Sequence, residues 1–465
     1  MFVEKRKDME RIRIFRAGQD FPANGYLMSS ETLRRLLASC EAEFALFYLT
    51  EAPVMLGLHA EERFLQVADD SRAGWFYADY YEEGQAHPLI DCQEGSLRDD
   101  FQFGPLILVR TAAWRDALSG TADASYTYAA FYSLRLAISR LWGVEHLSEY
   151  LYTVREIDRR TTGEKLFDYV DPRNRAVQLE MEQACTAHLK AIGAYLPPVF
   201  RELPDEASAS FPVEMSVVIP VRNRVRTIDD ALASALSQQT PFPFNVIVVD
   251  NHSTDGTSEK LAACAARDAR LVVVRPERSD LGIGGCWNLA IHHPQCGRYA
   301  VQLDSDDVYS SPDTLRKIAE TFQRESCAMV VGTYRMTNFR MEEIPPGIID
   351  HREWTDENGR NNALRVNGLG APRAFRVSLL RRINFPNTSY GEDYAVGLRL
   401  SRDYRIGRIY DVLYLCRRWE DNSDAALSVE QMNRYNAYKD KLRSWELKAR
   451  KQKNRVEQPS ANERR

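Results

Sequence analysis

No run of this chain approaches the ~18 consecutive apolar residues that a membrane-crossing helix needs, so a transmembrane segment is not expected. The basic start, Glu4 to Asp8, has no apolar stretch behind it and does not read as a signal peptide. The charge of either sign is also small: 61 Lys and Arg against 66 Asp and Glu leave −5, which implies no general attraction to nucleic acid. The eight cysteines (Cys40, Cys92, Cys185, Cys264, Cys286, Cys296, Cys327 and Cys416) lack metal-ligand spacing and read as free thiols in a reducing cytosol. The eight histidines form no cluster, and His292-His293 before a proline reads as a loop or helix end. At 465 residues the chain has material for two or three domains, each with its own core.

What is present centres on Tyr299-Ala-Val-Gln-Leu-Asp-Ser-Asp-Asp307. An apolar strand ends in Asp304, Asp306 and Asp307 with Ser305 among them, and adjacent carboxylates repel unless a cation lies between them. Hard cations such as Mg2+ or Mn2+ take such oxygens and are often shared with a diphosphate. The competing reading is an acidic turn ahead of the helix start at Ser310-Ser311-Pro312-Asp313.

Two strand-like runs precede it. Met215 to Val221 contains Pro220 and is followed by Arg222-Asn223-Arg224; Asn245 to Asp250 is followed by Asn251 to Thr257. Helical spacing over Thr227 to Gln239 and again from Ser258, then a strand at Leu271 to Val274, gives a βαβαβ alternation. Such alternation predicts a mostly parallel sheet covered on both faces, with ligands at the carboxyl ends of its strands. Arg222, Asp250 and Asp304 fall at three such ends.

Pro220-Val-Arg-Asn223, Val249 to Thr257, Asp280-Leu-Gly-Ile-Gly-Gly-Cys-Trp-Asn288, Asp304-Ser305-Asp306 and Tyr390-Gly-Glu-Asp-Tyr394 occur in that order. Together they resemble the motif series of family 2 glycosyltransferases, over roughly residues 213 to 425. The resemblance implies an α/β GT-A fold, a Rossmann-like mixed sheet that binds a nucleotide-diphosphate sugar. It implies nucleotide-sugar contacts from Pro220, Arg222, Asn223, Asp250, Asn251, Asn288, Asp304 and Ser305. It also implies a divalent metal (Mn2+ or Mg2+) on Asp306 and Asp304. Asp393, or else Glu392, would be the general base that takes the proton of an acceptor hydroxyl on a glycan or other molecule. The residues support that role independently, because a carboxylate in a helix's first turn is kept ionised by the macrodipole.

The sequence departs from the family in two places. Cys286-Trp287-Asn288 stands where an arginine is usual, and Cys416-Arg417-Arg418-Trp419 where a histidine is usual. Arg417 and Arg418 are then the candidates for neutralising the leaving diphosphate. The glycines of Gly282-Ile-Gly-Gly285 are expected to let backbone approach the sugar donor. Trp354, inside a polar insert from Glu342 to Asn362, reads either as a sugar-stacking ring or as a packing anchor.

The amino-terminal part repeats elements of the second. Tyr126 to Leu136 aligns with Tyr390 to Leu400, Gly143 with Gly407, and Glu149-Tyr-Leu-Tyr152 with Asp411-Val-Leu-Tyr414. Gly104 to Arg110 parallels Gly370 to Arg376, and Ala73 to Tyr80 parallels Cys327 to Tyr334. These matches, all in one order, point to an internal duplication. Tyr128-Ala129 replaces Glu392-Asp393, and Leu49-Thr50-Glu51 replaces the acidic triplet, so this copy is expected to be degenerate and non-catalytic. Acceptor recognition and homodimerisation are the roles left open to it.

The expected organisation is a degenerate GT-A-like α/β domain at 1–200, a linker at 201–212, the catalytic domain at 213–450 and a charged, disordered tail at 451–465. Lys165 to Pro172 reads as a loop, and Arg173 to Tyr195 and Val429 to Lys451 as long helices. The function expected is a metal-dependent, inverting sugar transfer serving glycan or polysaccharide synthesis in the cytoplasm, with peripheral contact at the inner membrane face left open. Two rivals stand beside it. A sugar-phosphate nucleotidyltransferase would need a Gly-rich loop after the first strand, which Val221 to Arg226 lacks. A nucleotide-sugar-binding pseudoenzyme or scaffold would be compatible with the missing family arginine and histidine.

Overall fold

The computed structural model describes residues 11–120, 125–155, 174–204, 210–419 and 427–457. The predicted loop at 165–172, the residues after Trp419 in the late motif, residues 205–209 of the linker and the last residues of the tail lie outside these. The chain divides into two compact units, residues 1–195 with 427–465, and residues 196–426.

The first unit runs β1 (Ile12–Arg16), α1 (Ser30–Ala38), β2 (Phe44–Tyr48), β3 (Val54–Leu56), α2 (Ala60–Asp70), β4 (Trp75–Glu82), β5 (Gln85–His87) and β6 (Leu106–Arg110). It continues with α3 (Thr111–Ser119), α4 (Ala130–Leu141), β7 (Val144–Val154) and α5 (Arg175–Ala191). Its sheet has the order β1-β2-β6-β4-β7-β3, with β5 on β4. β2 and most of β6 are wholly buried because Phe44 to Tyr48 and Leu106 to Val109 are apolar on both faces, as a strand covered by helices on either side requires.

The second unit begins with β8 (Met215–Val221), α6 (Ile228–Leu236), β9 (Phe244–Asp250), α7 (Thr257–Ala265), β10 (Leu271–Val274), α8 (Ile283–His292) and β11 (Tyr299–Gln302). Then come β12 (Val308–Tyr309), α9 (Thr314–Glu325), β13 (Met329–Thr337), β14 (Glu343–Ile349), α10 (Gly359–Asn362) and β15 (Arg373–Arg376). α11 (Val377–Ile383), α12 (Glu392–Ser401) and β16 (Ile406–Arg417) complete it. Its sheet has the order β10-β9-β8-β11-β15-β13-β16-β12, with β14 on β13. β10, β9, β8 and β11 pair in parallel, and the antiparallel β15 follows. This is the expected mixed α/β sheet, with three of the predicted strand ends brought side by side.

The two sheets share a plan. β1·β2 and β8·β11 are parallel, β2·β6 and β11·β15 antiparallel, β4·β6 and β13·β15 antiparallel, and β4·β7 and β13·β16 parallel. The registers agree as well. Trp75 faces Val109 and Val144 as Met329 faces Phe375 and Ile406. After a register break in each, Tyr80 faces Tyr152 as Tyr334 faces Tyr414. In that register Glu145, not Gly143, is the counterpart of Gly407.

Three expectations need correction. The insert from Glu342 is not simply a loop, because Glu343–Ile349 is a strand antiparallel to β13. Pro345-Pro346 is tolerated there because only one side of this strand is paired. The charged tail does not begin at Lys451, because α13 (Val429–Glu457) continues through it. Finally, α13 groups with the first unit rather than with the second. Its Asp440 explains why: the carboxylate accepts from Ser96 Oγ at 2.9 Å and Arg98 Nε at 3.3 Å, and all three side chains are buried.

Candidate functional site

The loops after β8 and β9 are built as one piece. Asn223, at φ 54°, donates its N–H to Ser253 Oγ (3.0 Å) and accepts the Thr254 N–H on Oδ1 (2.8 Å). Arg224 N–H reaches Thr257 Oγ1 at 2.9 Å and Val225 N–H reaches Asp255 Oδ2 at 3.0 Å. Asp250 closes β9 directly opposite Val221. Burial works against its charge, but the Ser258 and Ser253 hydroxyls and the Ser253 N–H hold its carboxyl below the usual range. Asn251 donates to Leu281 O at 2.9 Å, while its buried Oδ1 has no partner among the described residues. Arg222 is exposed beside them.

The triplet is held from three sides. Tyr414, on β16, accepts the Asp304 N–H at 3.0 Å, and Gln302 Nε2 donates to both Asp304 oxygens at 3.0 and 2.9 Å. Thr227 Oγ1 donates to Ser305 O at 2.9 Å. Arg417 donates its N–H to Asp307 Oδ1 at 2.7 Å and its Nε to Asp306 O at 2.5 Å. Ser305, Asp306 and Asp307 are buried, whereas Asp304 is exposed. Burial, with Asp306 and Asp304 adding repulsion, pushes the Asp307 carboxyl well above its usual range.

Asp306 Oδ2 faces cations and an indole. Trp419 Nε1 donates to it at 3.1 Å and Arg224 Nε lies 3.7 Å away. Arg226 and Arg224 lie 5.1 and 5.9 Å from the Trp419 ring, within cation–π range. Arg224, Arg226 and Trp419 were not among the residues expected at the site. Trp419 carried a signal, since it follows the two arginines where the family has a histidine, and Arg224 was visible only as part of a basic run.

Glu392 and Asp393 form the first turn of α12, entered through Gly391 at φ 80°, a conformation that suits glycine. Asp393 Oδ2 pairs with Arg373 Nη1 at 2.9 Å. Arg373 also donates to Gly370 O at 2.7 Å, and its backbone N–H reaches Gln302 Oε1 at 3.3 Å. Gln302 thus joins the Asp304 carboxylate to the strand that carries Arg373. Burial disfavours the Arg373 charge, but Asp393, Asp304 and Glu392 hold its pKa above the usual value.

Several expected residues have other work. Arg417 is buried, with Nη1 on Asp230 Oδ2 at 2.6 Å and its guanidinium 4.5 Å from the Phe339 ring, so it braces the triplet from behind. Arg418, half-buried, donates its backbone N–H to Thr337 O at 2.8 Å. Asn288 uses both amide atoms on the backbone of Phe385, at 2.9 and 2.8 Å. Trp287 stacks on Phe385 at 5.2 Å inside the core. The glycines at 282–285 serve packing rather than ligand approach: a Cβ on Gly284 would lie 1.9 Å from Pro386 O. Trp354 is a packing anchor, buried against Gly359.

Among the described residues no three or more His, Cys, Asp or Glu side chains are grouped to hold an ion by themselves. The eight cysteines are free thiols. No described helix is long and apolar enough to cross a membrane.

Residues 216–383 match the Glycosyl transferase family 2 model. The poly(ribitol-phosphate) beta-glucosyltransferase of Bacillus spizizenii is 27% identical over 236 residues, covering 49% of this chain and 36% of that protein. The succinoglycan biosynthesis protein ExoU of Rhizobium meliloti is 27% identical over 226 residues, covering 45% of this chain and 62% of ExoU. The structure of S. aureus TarS 1-349 in complex with UDP-GlcNAc is similar at 23% identity and a TM-score of 0.39, covering 50% of this chain and 71% of that one. The chain spans less than half the length of the first curated relatives it matches. Residues 216–383 are a glycosyl transferase family 2 domain.

Proposed function

We propose that the second unit transfers a sugar from a nucleotide-diphosphate sugar to an acceptor hydroxyl, with inversion at the anomeric carbon. The observation that carries this reading is the link from Asp304 through Gln302 to Arg373 and Asp393, which puts the acidic triplet and a helix-N-terminal carboxylate in one hydrogen-bonded frame. In it Asp393 takes the acceptor proton as the hydroxyl attacks. Asp250 and the acceptor oxygen of Asn251 hold the nucleoside, whose N–H and hydroxyl groups suit them. Arg224, Arg226 and Arg222 face the diphosphate, a task for which guanidinium geometry is fitted.

The carboxylate set also fits a divalent cation. Asp304 is an exposed residue whose two oxygens share one donor, Gln302 Nε2, Asp306 lies next to it, and crowding of the three carboxylates favours added positive charge. Asp306 and Asp304 would hold the ion, with remaining positions left to phosphate and water, and the ion would supply charge neutralisation for the departing diphosphate. The relatives named for polymer synthesis support a glycan acceptor.

We also read the first unit as a degenerate copy of the same domain, supported by the shared strand order and register. Among the described residues it has no counterparts of β9 and β10, and its α4 lacks the acidic first turn. There Glu180, from α5, accepts the N–H groups of Thr127, Tyr128 and Ala129 at 3.0, 2.6 and 3.1 Å. Burial opposes the Glu180 charge, but those three bonds hold its carboxyl below the usual range.

The direct test is a panel of nucleotide sugars with the intact chain and Mn2+ or Mg2+, read by thermal shift and by nucleoside diphosphate release. Binding of one class together with its turnover is expected. Tight binding with no release in the presence of any hydroxyl acceptor would favour the scaffold reading, and release of pyrophosphate from a nucleoside triphosphate would favour the nucleotidyltransferase.

A further inference from the structure

The first unit contains a cavity of about 170 Å³, bounded by the loop around Tyr26, the segment 99–103, α4 and α5. It opens to solvent at a rim of exposed and half-buried residues above a concave, largely apolar floor, the form that small-molecule sites take. Its walls are aromatic: Tyr26, Trp75, Phe101, Phe103, Phe131 and Tyr132. The rings brace one another, with Trp75 5.5 Å from Phe103 and 5.1 Å from Phe131, and Phe101 4.5 Å from Phe103. Arg135 fixes them further. Its guanidinium lies over Tyr132 at 4.9 Å and Phe103 at 5.4 Å, and it donates to Ser96 O and to Arg98 O. The walls are therefore rigid before anything binds, which lowers the ordering cost of association.

Two further facts bear on the occupant. Trp75 is fully buried, yet its indole N–H has no acceptor among the described residues. The rim differs in kind from the walls, being made of Asn24, Asp99, Asp100, Gln102 and Asn174, all half-buried or exposed. Amides and carboxylates around an apolar floor match a molecule with C–H faces and hydroxyl edges. Asp100 is paired with Arg98 Nη1 at 2.7 Å and Arg135 also lines the space, so the lining is close to charge-balanced and suits a neutral molecule.

The comparison with the second unit sharpens this. In the shared register Trp75 stands where the other sheet has Met329. In the sequence alignment of α4 with α12, Phe131 and Tyr132 stand where the second unit has Ala395 and Val396. At three positions that wall the cavity the first unit carries an aromatic ring where the second has Met329, Ala395 and Val396, and it lacks the acidic turn.

We propose that this cavity is a saccharide-binding site that takes a neutral sugar unit, its C–H face on the aromatic walls and its hydroxyls on the amide and carboxylate rim. Its ligand is a segment of the acceptor glycan, an assignment that rests on the transferase reading; the binding itself does not.

The test uses the intact chain and neutral hexose oligomers (maltohexaose, cellohexaose and laminarihexaose), with polygalacturonate oligomers as an anionic control, followed by saturation-transfer NMR and calorimetry. Two variants probe the cavity: Val177→Trp, which fills it from a half-buried position on α5, and Tyr26→Ala, which removes a wall at the rim. Binding of at least one neutral oligomer, weakened tenfold or more in both variants and unchanged in Asp393→Asn, is the expected result. Nucleotide-sugar hydrolysis without acceptor should be the same in Val177→Trp as in the parent chain. Failure of every neutral oligomer to bind, preference for the anionic oligomers, or binding that survives Val177→Trp would overturn the proposal. Oligomer binding in a chain that proves unable to turn over any nucleotide sugar would retain the site and remove only the acceptor assignment.

Discussion

Arg373 Nη1 lies 2.9 Å from Asp393 Oδ2, so the carboxylate assigned as general base is tethered to the strand that also adjoins the acidic triplet. A tether of this kind fixes where the base sits, and a base misplaced by about 1 Å can lose on the order of 100-fold in rate. Asp393→Asn is expected to cut transfer by about 100-fold or more while leaving sugar-donor affinity within a few-fold. Arg373→Met should lower kcat by roughly 10- to 100-fold, with Arg373→Lys recovering part of the loss. The check is kcat and KM for both substrates. A larger loss in Glu392→Gln than in Asp393→Asn would move the base one residue back.

Asp306 tests the cation. Its Oδ2 is already engaged by Trp419 and approached by Arg224, so Asp306→Asn keeps size and shape while removing charge. Transfer should fall by about 100-fold or more, and nucleoside diphosphate binding should become insensitive to added Mn2+. The circular dichroism spectrum should be unchanged. Full activity of the parent chain in excess chelator would remove the metal from the mechanism.

Strands whose apolar character is continuous were readable from sequence with near-correct ends. Met215–Val221 and Leu271–Val274 coincide with β8 and β10, and the parallel sheet follows from them. β14 was not readable, because Pro345-Pro346 and the flanking glutamates resemble a loop and an edge strand needs only one paired side. The continuation of α13 past Lys451 was hidden for a related reason: a charged, nearly apolar-free segment can be helical when its neighbours already are. Among the candidate carboxylates, Asp250 and Asp304 stood out because they close or follow apolar strands, and Asp393 because it opens a helix. Arg224, Trp419 and Arg373 were not, since their meeting with Asp306 and Asp393 depends on which strands lie side by side.

Trp419 and Arg224 form a second prediction set at the diphosphate end. Trp419→Leu removes the N–H on Asp306 and the ring beside Arg224 and Arg226. The sugar donor's KM should rise about tenfold, in line with a loss of roughly 1–2 kcal/mol for a charge-assisted bond and a cation–π contact. Restoring the family's histidine in Trp419→His should recover part of that loss. An unchanged KM in Trp419→Leu would place the indole outside the binding surface.

The first unit carries a pH-sensitive group in His188, on α5. Burial, aided by Arg140, Arg135 and Lys451, lowers its pKa from 6.5 to about 3, and its Nδ1 has no hydrogen-bond partner among the described residues. In the unfolded chain this histidine takes up a proton as pH falls below about 6.5, whereas in the folded unit it does not until about 3. Its contribution is therefore fully present above pH 6.5 and is lost progressively on acidification toward 3, with a slope approaching about 1.4 kcal/mol per pH unit. Urea unfolding of the parent chain and of His188→Leu at pH 7.5, 5.5 and 4.5 should show a steeper decline in the parent. Parallel declines would mean that His188 is protonated in the native state.

One nucleotide sugar should bind per chain. The second unit ends three neighbouring strands in Arg222, Asp250 and the acidic triplet. The first ends β2 in Leu49-Thr50-Glu51 and opens α4 at Tyr128-Ala129. The helix end that would otherwise attract an anion there is already satisfied by Glu180, and a diphosphate would have to displace that carboxylate against its own charge. Without two adjacent carboxylates little compensates a divalent cation for losing its water. Calorimetric titration of the intact chain with its preferred nucleotide sugar should give a stoichiometry near one that Asp250→Ala abolishes. A value near two, or residual tight binding in Asp250→Ala that Glu180→Gln strengthens, would show that the first unit has kept a sugar-donor site of its own.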